Sequence, residues 1–230
     1  MTPRNKATEI RRTLLTPAAG LHVRENAEGD APGRTIAGYA IMFGVESEPL
    51  WADEDSEGRE VIDPGAVTPA LLDASDIKFT MFHDRQLILA RSNRGRGTLR
   101  YSIDDRGVAF EFEAPATADG DKALELVRRG DISGCSFAFS TRYWDGTCVE
   151  RSTAVVGGRT VVTLRVKAIT AIHDFTLAAD PAYPATSVEA RELADAVRSA
   201  AGGAPASQPA GAAPSEQLRE MRRAAACRLL

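Results

Sequence analysis

The sequence is poor in the residues on which metal and disulfide chemistry depend. Its three cysteines, Cys135, Cys148 and Cys227, stand far apart in 230 residues. Their odd number and wide spacing exclude a C-x-x-C metal site and argue against a disulfide framework. Histidine is equally scarce, with His22, His83 and His173 the only three. No apolar run approaches the roughly 20 residues needed to span a bilayer. The polar N-terminal stretch lacks the apolar segment of a secretion signal. Charge of one sign is also missing: a formal net charge of −4 gives no bulk attraction to nucleic acid. There is no internal repeat. What remains is the composition of a soluble protein of a reducing compartment, long enough to bury a real core, with no metal or organic cofactor indicated.

Turn and strand signals then divide the chain. Residues 1–33 are polar and broken by Pro3, Pro17 and Pro32, and read as a flexible arm with at most one early strand near Leu21 to Val23. A folded domain is expected over 34–201. Within it, Ile36 to Phe43 and Glu60 to Ile62 read as strands. Asp63 as cap and Pro64 at the first position predict a helix to about Asp73. Ile77 to Phe82 reads as a strand ending at His83-Asp84. Asp104 to Gly107 and Gly157-Gly158 mark two hairpins. A helix that opens at Thr117 or Asp119 ends at Gly130. A last strand, Ile169 to Ala178, precedes a helix expected over Thr186 to Ala201. Residues 202–230 form an Ala/Pro/Gly/Ser linker over Gly202 to Pro214, then a basic, helix-prone tail. Many antiparallel strands with few helices make the fold α+β, with a barrel-like or sandwich core.

The stretch Gly134 to Ser140 has the strongest chemical pattern. Strand periodicity sends Cys135, Phe137 and Phe139 to one face and Ser136, Ala138 and Ser140 to the other. The aromatic face belongs in a core, which leaves Ser136 free to face a cleft as a candidate nucleophile. The same pattern fits an ordinary half-buried strand, since no G-x-S-x-G elbow surrounds the serine. Cys135 is the rival nucleophile, but its parity groups it with the phenylalanines.

A serine nucleophile needs a base within hydrogen-bond reach and a group that orients the base. His22 lies in the arm. His83 lies where an apolar strand meets a loop, from which a side chain can reach a neighbouring strand. His173 and Asp174 are adjacent on the last strand, so regular alternation lets only one face the site. Thr170, Ile172, Asp174 and Thr176 form its more polar face, which favours Asp174 and keeps His173 as the alternative.

Six short motifs recur in an order that carries a resemblance. They are Arg34 to Ala40, Glu60 to Ala66, Phe82-His83-Asp84 with Leu89-Ala90-Arg91, and Gly97-Thr98-Leu99 with Asp104 to Gly107. Arg129 to Phe137 follows, then Asp174 to Leu177 with Pro181 to Pro184. Together, over about residues 34–188, they resemble the prohead (capsid maturation) serine proteases of tailed phages, which are related to herpesvirus assemblin. The resemblance implies a mostly antiparallel β-barrel surrounded by a few helices. It also implies a nucleophile matched by Ser136, a base matched by His83, and a third member matched by Asp174, or by His173 as in assemblin. The implied substrates and partners are the major capsid protein, or its scaffolding segment, and the scaffold protein. Cleavage of the chain's own tail and self-association are expected as well. The setting would be the host cytoplasm, inside the assembling procapsid. A non-catalytic assembly module built on the same fold is the competing expectation.

Overall fold

The computed structural model describes residues 10–16, 20–24 and 33–178. Among these residues fourteen strands and two helices follow in chain order. Strands β1 (Ile10–Thr16), β2 (His22–Arg24), β3 (Thr35–Met42), β4 (Trp51–Ala52) and β5 (Ser56–Ile62) precede α1 (Pro69–Ala74). Then come β6 (Asp76–Met81), β7 (Asp84–Asn93), β8 (Arg96–Gly97), β9 (Arg100–Ile103), β10 (Gly107–Glu113) and α2 (Ala118–Arg129). The series closes with β11 (Gly134–Thr141), β12 (Val149–Val156), β13 (Arg159–Val166) and β14 (Ala171–Ala178).

The strands form three sheets: β1-β11-β14-β6-β7-β8, β2-β3-β10-β9 and β12-β13-β5-β4. Most neighbours are antiparallel, while β14 with β6 and β13 with β5 are parallel. Strand-rich architecture with few helices agrees with the sequence, but the closed barrel does not form. Each sheet among the described residues keeps two free ends, and closure would require its first and last strands to exchange hydrogen bonds.

The two segments described within the expected arm, β1 and β2, are paired strands. β2 lies against β3, and β1 runs antiparallel to β11 along its whole length, with Leu15 opposite Ser136. Periodicity alone gave no warning of β1, because an edge strand draws its stability from the partner it meets.

Local signals explain most of the other boundaries. Thr117 caps α2 by accepting from the Gly120 N–H, Asp119 and Asp121 occupy the first turn, and Arg128 and Arg129 the last. These charges complement the helix dipole, and Gly130 ends the helix in the left-handed region at φ 76°. The helix α1 begins five residues later than Pro64 suggests. Gly65 sits at φ 91°, which no α-helix accommodates, and Thr68 with Pro69 supplies the actual cap and first position.

The core explains why β11 lies where it does. Phe137, Phe175 and Phe79 form one row across β11, β14 and β6. All three are fully buried. Phe79 also meets Phe110 and Phe112 of β10, with ring centroids 4.5 Å and 4.6 Å away. Burying each ring contributes about 1.5–3 kcal/mol. The next row across the same three strands is Ser136, Thr176 and Thr80. Its side chains alternate to the opposite face, so the packed aromatic row fixes where the polar one stands. The helix expected over 186–201, the motif Pro181 to Pro184, and the linker and tail over 202–230 lie outside the described residues.

Candidate active site

The polar row is completed by a hairpin turn. Met81 of β6 pairs with Asp84 of β7, leaving Phe82 and His83 as a two-residue loop. Both lie at positive φ, 56° and 59°. Two-residue loops of this kind ordinarily carry Asn-Gly or Gly-Gly, because an L side chain in the left-handed region costs about 1–2 kcal/mol. The strain is held from β14. The Phe82 N–H donates to the Leu177 carbonyl at 3.1 Å, and the His83 N–H to Thr176 Oγ1 at 2.9 Å. Thr176 Oγ1 also accepts from the Thr80 hydroxyl and donates to the Thr80 carbonyl, both at 2.9 Å. One buried hydroxyl thus ties the histidine turn to two core strands.

From that turn the imidazole bridges two strands. His83 Nε2 lies 2.9 Å from Ser136 Oγ, and His83 Nδ1 lies 2.6 Å from Asp174 Oδ1. A carboxylate only accepts, so Nδ1 carries the proton and donates to Asp174. That leaves the Nε2 lone pair facing the Ser136 hydroxyl, which is the tautomer needed to accept its proton. Ser136 is 4% exposed, and the Asp174 side chain only 7%, whereas the His83 side chain keeps 29%. The imidazole side is therefore the open one. A groove beside the site is lined by Thr80, Asp174, His173, Lys78, Asp76 and Arg85. Within it Asp76 is locked: hydrogen bonds from Arg91 and Lys78 hold its carboxyl well below the usual range.

The other sequence candidates fall into place around this chain of contacts. Cys135 is fully buried on the phenylalanine face, and burial pushes its thiol up to about 12, so it is neither reachable nor ionised. Cys135 and Cys148 are both free thiols. His22 is exposed on β2 with Nδ1 2.8 Å from the Gly20 carbonyl, in a different sheet from the serine strand.

His173 departs from the regular alternation expected of β14. Ala138 pairs with Asp174 while its neighbour Phe139 pairs with Ile172, so His173 is the extra residue of a β-bulge. The bulge removes the rule that only one of His173 and Asp174 can face the serine side. Asp174 reaches His83, and His173 Nε2 meets the Oγ of Ser140 at 2.8 Å, four residues along β11 from Ser136. Thr176 and Thr80 are the residues that sequence reasoning left without a role. Their signal was present in part, since Thr176 shares the parity of Asp174.

No curated protein matches the chain. Among solved structures it is similar to the bacteriophage T4 capsid assembly protease, gp21. The identity is 9% and the TM-score 0.37, over 72% of this chain and 98% of that one. The model of the caudovirus prohead serine protease family matches residues 20–199. With so much of its length matched, including every residue of the serine, histidine and aspartate cluster, the chain belongs to the caudovirus prohead serine protease family.

Proposed function

We propose that this chain is a serine endopeptidase of phage capsid assembly, with Ser136 as nucleophile, His83 as base and Asp174 as orienting acid. The observation that carries the reading is the unbroken contact chain from Ser136 Oγ through the imidazole to Asp174 Oδ1, at 2.9 Å and 2.6 Å. Ser136 Oγ attacks a peptide carbonyl while His83 Nε2 takes its proton, then returns that proton to the leaving amine. Asp174 holds the tautomer and stabilises the imidazolium. Backbone N–H donors would hold the oxyanion, each worth on the order of 10²–10³ in rate. Water then repeats the sequence on the acyl-enzyme. The reaction uses no metal or cofactor.

The substrates in this reading are the scaffold protein or the scaffolding segment of the major capsid protein, and the protease's own tail after residue 201. The chain would act inside the assembling procapsid in the host cytoplasm, associated with copies of itself. Two measurements test it. A fluorophosphonate should label Ser136 in the folded protein, and co-expression with the cognate capsid protein should give a shortened capsid product. A folded protein that neither labels nor processes is an assembly module instead, and the proposal fails.

A further inference from the structure

Phe82 is anomalous twice over. Among the described residues it is the one aromatic side chain among the exposed large apolar residues, at 48% exposure. It also occupies the left-handed region at φ 56°, where a bulky side chain is an outlier and Gly or Asn the ordinary choice. Six interior phenylalanines make ring contacts in two groups, Phe79 with Phe110, Phe112 and Phe175, and Phe137 with Phe139, and Phe82 takes no part in them. The fold therefore gains little from an aromatic here. Its backbone N–H is what the fold uses, and that bond to the Leu177 carbonyl is available to any residue except proline. Strained residues that the structure around them over-determines cluster where substrate is held.

The position makes the role specific. Phe82 precedes the histidine whose Nε2 is 2.9 Å from Ser136 Oγ, and consecutive Cα atoms stand about 3.8 Å apart. The exposed phenyl ring is thus carried on the same two-residue turn that presents the imidazole to Ser136. We infer that Phe82 is a specificity-determining residue, whose ring forms one wall of a subsite for an apolar side chain (Leu, Met or Phe) of the extended peptide that is cleaved. This rests on the protease reading above. The ring holds a substrate side chain by apolar contact and takes no part in proton transfer.

The test uses the full-length protein and a library of quenched-fluorescent decapeptides varied one position at a time. The unmodified protein should prefer apolar residues at one position near the cut. The rate ratio between two peptides differing only there, Leu against Asp, is then measured in Phe82→Asn and Phe82→Leu. A ratio taken within one variant cancels any change in the amount of competent site. The ratio should fall by roughly 10-fold or more in Phe82→Asn, the scale of losing an apolar contact, and largely survive in Phe82→Leu. The thermal midpoint of Phe82→Asn should stay level or rise, because asparagine tolerates the turn geometry. A ratio unchanged in Phe82→Asn, no apolar preference at all, or a midpoint that drops by several degrees overturns the inference. Failure of the protease reading looks different: the unmodified protein is then not labelled at Ser136 by a fluorophosphonate and cleaves no peptide, which removes this inference with it.

Discussion

Among the described residues, three two-residue hairpin turns run through positive φ, and they differ in how many glycines they contain. Gly157-Gly158, between Val156 and Arg159, has φ 58° and 85° and two glycines. Arg94-Gly95, between Asn93 and Arg96, has φ 53° and 74° and one. Phe82-His83 has the same backbone sign and none. The first turn needs no outside support and ends an exposed hairpin, where Val155 and Val156 are open to solvent. The third carries about 2–4 kcal/mol of left-handed strain if each residue costs about 1–2. Its neighbours offset that through the Leu177 carbonyl, the Thr176 hydroxyl and the Asp174 carboxylate. Hydrogen bonds to neutral groups contribute about 0.5–1.5 kcal/mol each, and to charged groups about 1.5–3. Sums of that size match the strain. Where glycine is used, the turn serves the fold. Where it is refused, the fold has been built to serve the turn.

The widest gap between these regions is expected in activity. Ser136→Ala and His83→Ala should each reduce turnover on the order of 10⁶-fold, so the shortened capsid product disappears from a co-expression gel. Normal processing by either folded variant breaks the assignment. Asp174→Asn comes next, at on the order of 10⁴-fold, because an amide fails to fix the donating tautomer at Nδ1. His173→Ala should cost far less than Asp174→Asn, since Asp174 meets the His83 imidazole at 2.6 Å while His173 meets Ser140. Single-turnover rates of the two variants separate these roles, and the reverse order would hand the third position to His173.

A smaller effect should come from the support of the strained turn. Thr176→Val keeps the shape and deletes the acceptor of the His83 N–H, leaving a partly buried donor unsatisfied at a cost of up to about 1–3 kcal/mol. The turn should relax and misplace the imidazole, and a displacement of about 1 Å can cost 10²-fold in rate. Turnover should therefore fall roughly 10–100-fold, with Thr176→Ser restoring most of it because the hydroxyl returns. If valine and serine behave alike, the hydroxyl does not position His83.

What the sequence disclosed follows from the range of the interactions involved. The Thr117 cap, the Gly130 stop and the glycine-marked hairpins are set within a few residues, and they were legible. So was the division of β11 into a phenylalanine face and a serine face, because period 2 is a property of the strand alone. The late start of α1 is local as well, because Gly65 disfavours the helix that Pro64 suggests and Thr68-Pro69 offers a second cap and first position. The bulge at His173 was not legible, since it exists only in the register between β11 and β14, strands more than thirty residues apart. The same holds for the pairing of β1, the open sheets in place of a barrel, and the Thr176 hydroxyl under His83. The residue types of the site were written in the sequence. Their geometry depended on which strands met.

The glycine turn supplies the smallest effect and the control for all the others. A Cβ at Gly157 or Gly158 meets nothing within 4 Å, so a substitution there tests backbone conformation without steric interference. Gly157→Ala places an L residue at φ 58°, at a cost of about 1–2 kcal/mol. Part of this is offset, because alanine lowers the entropy of the unfolded chain by about 0.4–1 kcal/mol. The net loss should be near 1 kcal/mol or below, a fall of about 2–4 °C in midpoint for a domain of this size. Gly157→Asn should fall less, since asparagine tolerates the left-handed region. Neither change should alter processing, because the hairpin of β12 and β13 belongs to a different sheet from Ser136, His83 and Asp174. Midpoints and processing yields measured side by side decide the matter. If Gly157→Ala slows processing as much as Thr176→Val while the midpoint barely moves, the exposed hairpin contributes to substrate binding and the two turns are not opposites.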